Sequence, residues 1–141
     1  MTWEPFESIP VMKSYGYFAK NLDYSSSKAV GAELGMLVAS KAAATEKRAT
    51  VQRFVSAYVA KMNELRDSTP KFGAAIAGLT GLDPAVSLKV AEVIKLGPVI
   101  TVDQIKRQAK AFNELGVIPK DVSGEIEQYW DASFLETAMK K

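Results

Sequence analysis

The feature that most constrains this chain is a long apolar stripe at helical spacing. Val51, Phe54, Val55, Tyr58, Val59, Met62 and Leu65 recur at i, i+3, i+4, i+7, i+8, i+11 and i+14. That period fixes an amphipathic helix of about four turns and demands a partner surface along its length. Thr45 is the expected N-cap, with Glu46 in the first turn near the positive end of the helix dipole. Arg48, Arg53, Lys61 and Glu64 lie on the opposite side and read as a solvated face.

The sequence after the stripe is punctuated like a run of helices. Thr69-Pro70 opens a helix over 70–79, with proline in the first turn. Gly81-Leu82-Asp83-Pro84 then stops one helix and starts the next. Glycine ends the first, aspartate caps the second and proline follows at N1. Val86, Val90, Val93 and Ile94 give the second helix its apolar side. Residues 96–101 read as an extended link. Thr101-Val102-Asp103-Gln104 has the spacing of a capping box, and Ile105, Ala109, Phe112 and Leu115 follow it. Gly116 sits at C′ and Pro119 blocks continuation. Ile126, Tyr129, Trp130, Phe134 and Leu135 make the tail apolar enough to dock on the body.

The first 44 residues are less regular. Residues 5–15 suggest a short helix or turn interrupted by Pro10 and ended by Gly16. Residues 17–22 suggest a short strand, and residues 23–28 a polar loop with three serines. Met36-Leu37-Val38-Ala39 is apolar on both faces, as a buried central strand would be. The expected fold class is therefore α/β and helix-dominated, with a few short strands. No internal repeat is present.

Composition narrows the chemistry. The 141 residues include neither cysteine nor histidine. Disulfides, cysteine nucleophiles, His-containing triads and zinc sites built on Cys or His are excluded. Absence of cysteine is compatible with an oxidising compartment. Apolar residues make up 48% and charged residues 24%, with a formal net charge of +2. These are ordinary values for a globular protein, and the cations are scattered, which argues against a nucleic-acid partner. No apolar run is long enough to span a membrane. No glycine-rich phosphate loop or metal-binding carboxylate cluster appears, so neither an enzyme nor a cofactor is expected.

Three stretches are candidates for binding. Glu4 beside Trp3 reads either as a carboxylate tuned by a low-dielectric wall or as a solvated or capping glutamate. Asp23, Tyr24 and the serines from Ser25 onward read either as an anion cradle or as a plain loop. Tyr129-Trp130-Asp131 reads either as a stacking site or as an anchor for the C-terminal helix.

Taken in order, several stretches resemble one family. They are Trp3-Glu4-Pro5-Phe6, "GMLVASKAAA", "TVQRFVSAYVAKMNEL", "TGLDPAVSLKVAEVI", "GPVITVDQIKRQAKAFNELGVIPKDV" and "YWDASFLETA". The order is similar to the C-terminal part of the periplasmic substrate-binding proteins of nitrate, sulfonate, taurine and thiamine-precursor ABC importers. The resemblance covers nearly the whole sequence. It implies a portion of a two-lobed α/β fold, with residues 1–31 from the second lobe and the crossing segment and residues 32–141 from the first lobe. It also implies a small anionic or zwitterionic organic ligand, a membrane permease as partner and a periplasmic location. No signal peptide is visible, so a cytoplasmic location is expected if the chain is expressed as written. By the same resemblance Trp3, Glu4 and Pro5 lie at the ligand cleft, with Tyr24 and Ser25 next on the crossing segment.

Such proteins need roughly twice this length, so the resemblance casts the chain as a C-terminal fragment. A strand at 36–39 without its neighbours would expose backbone edges, which leads to the expectation of a homodimer or an exchange of elements. The competing expectation is a stand-alone, self-associating helical protein without a ligand.

Overall fold

A computed structural model describes residues 4–17, 35–97 and 100–140. The chain divides into two compact units, one built from residues 1–20 and 57–98, the other from residues 21–56 and 99–141. Helix α3 (Arg48–Arg66) contains the point of division.

The first unit holds α1 (Ser8–Met12), the second half of α3, α4 (Thr69–Thr80) and α5 (Pro84–Val93). Pro10 is tolerated in α1 because it falls in the first turn, where its missing N–H has no carbonyl to meet. The α4–α5 corner follows from local chemistry. Gly81 takes φ 70°, a left-handed conformation that costs other residues, and its N–H bonds the Ala77 carbonyl at 2.9 Å. Asp83 Oδ1 then accepts from the Ala85 N–H at 2.8 Å and the Val86 N–H at 3.3 Å. Pro84 opens α5. The helices approach closely at Gly73, where a Cβ would lie 3.0 Å from the Leu88 Cα. Small or slim residues line this side of α5, with Ser87, Val90 and Ala91 all buried. Val59 and Met62 complete the unit's buried apolar set.

The second unit holds α2 (Lys41–Glu46), the first half of α3, α6 (Val102–Glu114), a 3-10 helix (Ser123–Tyr129) and α7 (Ser133–Met139). Thr101 caps α6, its Oγ1 accepting from the Gln104 N–H at 3.2 Å. Gly116 at φ 71° turns the chain out, with the Val117 N–H bonded back to the Phe112 carbonyl at 2.8 Å. Asp121 Oδ1 accepts from the Ser123 N–H at 2.8 Å and starts the 3-10 helix, which packs on α6. Ile105, Ala109, Phe134 and Ala138 are buried.

Four expectations are corrected. Among the described residues there is no strand, so the described part is helical rather than α/β, and a two-lobed binding-protein fold is not shown. Met36–Ala39 has no regular structure and is exposed, Val38 at 85%. A strand is defined by its partner, and an apolar run that finds none has no ladder to join. Tyr17 likewise lies outside any regular element, and residues 18–22 fall outside the described residues. Thr45 does not cap the stripe helix α3; it lies inside the separate helix α2, whose N-cap is Ser40. The Ser40 Oγ accepts from the Ala43 N–H at 3.1 Å, while the Thr45 hydroxyl donates back to the Lys41 carbonyl at 2.9 Å. The apolar stripe of α3 does form a helix, but only Val59 and Met62 are buried, and Phe54 and Tyr58 stay 57% and 45% exposed.

Candidate functional site

Of the five candidate ligand residues, Trp3, Tyr24 and Ser25 lie outside the described residues. Glu4 and Pro5 are described, and both are half-buried in the first unit. The Pro5 carbonyl accepts from the Ile9 N–H at 3.1 Å, which starts the turn into α1. Glu4 sits just ahead of that turn, and its carboxylate reaches forward over it. Oε1 accepts from the Ser8 hydroxyl at 2.8 Å and Oε2 from the Ser8 N–H at 3.3 Å.

This answers part of the question raised by the sequence. Glu4 is a capping carboxylate: it satisfies one of the orphan N–H groups of α1 and lies at the end of the helix where negative charge is favoured. It is also a fixed carboxylate. Ser8 is only 1% exposed, so the group that orients Glu4 is itself held by the fold. Each carboxylate oxygen retains a second lone pair, so the group can still accept from a further donor. The sequence pointed to Glu4 and Pro5 but not to Ser8. The signal was present as a hydroxyl four residues after a carboxylate, a spacing that puts both on one side of a turn.

The Tyr129-Trp130-Asp131 stretch separates into three environments. Tyr129 is 79% exposed and Trp130 half-buried. Asp131 belongs to a polar clasp in the second unit. Its Oδ1 accepts from the Ser133 N–H at 3.0 Å and from the Ser133 hydroxyl, and its Oδ2 meets Arg48 Nη1 at 3.1 Å. The Ser133 hydroxyl and, after it, the Arg48 guanidinium hold the Asp131 carboxyl below the usual aspartate range. Arg48 also lies 4.2 Å above the centre of the Phe134 ring, a cation–π arrangement, and Gln52 Nε2 donates to the Phe134 carbonyl at 2.9 Å. Every member of the clasp is bonded within it or to the start of α7. The cluster has the character of a fastening rather than of a reactive centre.

Among the described residues, no group of three His, Cys, Asp or Glu side chains is placed to hold a metal ion. No helix among them is long and apolar enough to cross a membrane. Compared with protein-family models, with curated proteins and with solved structures, the chain matches none.

Proposed function

We propose that the chain belongs to the solute-binding component of an import system and takes a small polar organic solute at the Glu4 turn. The observation that supports this reading is the Glu4 carboxylate, half-buried and oriented by two hydrogen bonds from Ser8. The order of the sequence motifs along nearly the whole chain supports it as well. A fixed carboxylate at this place favours ligands that bring N–H donors. A zwitterionic sulfonate or an aminopyrimidine suits it better than nitrate, which brings negative charge and no donor.

A thermal-shift comparison of nitrate, taurine and an aminopyrimidine tests the reading. Ligand at a hundred times its dissociation constant adds about 2.7 kcal/mol to stability, enough for a clear rise in Tm. Taurine or the aminopyrimidine is expected to raise Tm, and Glu4→Gln to abolish the rise measured against that variant's own baseline. No rise with any of the three compounds would overturn it.

A second reading, self-association without a ligand, is favoured by the exposed apolar segment Met36-Leu37-Val38. A sedimentation measurement giving twice the chain's mass, restored to the monomer value by Val38→Asp, is its expected signature. A monomer at all concentrations removes it.

A further inference from the structure

The first unit contains a cleft of about 290 Å³, bounded by the end of α3, the start of α4 and the end of α5 with the residues after it. This is the small end of the range for ligand sites. Leu65, Phe72 and Ile94 give it apolar walls. The charged residues at its margin differ in what they already hold. Glu92 is met by Lys89 at 2.8 Å, and Arg66 Nε by Asp67 at 2.9 Å. Lys95 and the Thr69 hydroxyl, which also line the cleft, have no hydrogen-bond or ion-pair partner among the described residues.

We propose that this cleft binds a small organic monoanion with an apolar body, an aryl or medium-chain alkyl carboxylate. The walls take the hydrocarbon part, which gains by leaving water. The Lys95 ammonium takes the charged head, with the Thr69 hydroxyl and the remaining guanidinium donors of Arg66 as neutral and charged donors beside it. Arg66 and Glu92 already have ion-pair partners in Asp67 and Lys89, so the Lys95 ammonium sets the sign of the ligand. One unpartnered ammonium sets its charge at one rather than two. Because Lys95 is exposed, the head-group contact is screened by salt and the affinity is modest. The cleft shares no residue with the Glu4 turn, and the proposal does not rest on the function read from that turn.

The test is an amide NMR titration of the full chain with octanoate, using octylammonium as the charge-reversed control. Octanoate is expected to shift amides within residues 65–72 and 91–96, with a dissociation constant on the order of 1 mM. Lys95→Glu should weaken binding about tenfold and Lys95→Gln by a smaller factor, while Lys47→Glu in the other unit leaves it unchanged. Raising salt should weaken it further. Equal binding of octylammonium would overturn the proposal. So would shifts confined to other residues, absence of shifts, or a Lys95→Glu variant that binds as the parent does. The exposed position of Lys95 lets both variants fold, so each outcome bears on the site.

Discussion

The two units are fastened by different physics. In the first, α4 and α5 meet backbone to backbone at Gly73 and Leu88, along a seam of small buried residues. In the second, α6 is tied to the 3-10 helix by the Lys106–Glu127 pair at 2.6 Å, and the start of α7 is tied to α3 by the Arg48–Asp131 pair at 3.1 Å. The α4–α5 seam depends on volume and answers little to pH or salt, although Glu64 of α3 also meets Lys71 of α4 at 3.2 Å in this unit. The second arrangement depends on charge and on one aromatic ring. Similar helical sequences therefore answer differently to the same perturbation.

The comparison breaks most sharply at Phe134. It is an aromatic side chain buried in the second unit and the surface on which Arg48 rests. Phe134→Ala is expected to cost about 3 kcal/mol in urea unfolding, combining lost burial, a cavity and the lost cation–π contact. Arg48→Ala alone should cost far less, since its exposed ion pair contributes little by itself. If the two variants prove equal, the clasp rather than the ring holds α7.

Gly73→Leu probes the other side. The added side chain has no room against Leu88, and neither backbone gives way cheaply, so a loss of about 2 kcal/mol is expected. Gly73→Ala should be milder, because part of the strain is offset by alanine's better helix propensity. Salt should leave both values unchanged. A salt-dependent loss would mean that the seam is not what the substitution disturbs.

The smallest effect is the response to acid. In the second unit Asp121, Glu127 and Asp131 are each held below the usual carboxylate range, Asp121 by Ser123, Glu127 by Lys106 and Asp131 by Ser133 with Arg48. In the first unit Glu64 is held down by Lys61 and Lys71. A depressed folded-state value stabilises the fold above the ordinary value, and the contribution is lost as pH falls through the depressed one. The ordinary values are 4.5 for glutamate and 3.8 for aspartate, so the loss lies below these. The groups are exposed, which keeps the effect small. In an acid titration followed by amide signals, Ile105 and Ala109 should lose native intensity before Val90 and Ala91. The reverse order would contradict the division of labour between the units.

What could be read from the sequence was whatever is decided within a few residues. Gly81, Asp83 and Pro84 specify the α4–α5 corner because each acts on its own backbone or on that of its neighbours. The Thr101 cap and the Gly116 exit were legible for the same reason. Thr45 misled because Ser40 offers an equal hydroxyl one turn earlier, and the alanines between them favour helix and so extend α2 towards Ser40. The segment at 36–39 misled more seriously. β-propensity describes a fit to a pleated surface, and the surface has to be supplied by another part of the chain. The stripe of α3 gave the helix but not its cover, since periodicity announces a face without saying how much of it is met. At the candidate site, Glu4 stood out by its place beside Trp3, and Pro5 by the family resemblance. Ser8, which orients Glu4, is visible only once the turn is built.

The corner at Gly81-Leu82-Asp83 also bears on the order of assembly. Only three residues join α4 to α5, and Gly73 and Leu88, which touch, are close in sequence. Closing so short a loop carries little entropic cost, and contacts that are local in sequence form quickly. By contrast, the clasp joins Arg48 to Asp131 and must wait for most of the chain to be in place. The α4–α5 pair is thus the natural first structure of a folding chain, and the attachment of α7 its last.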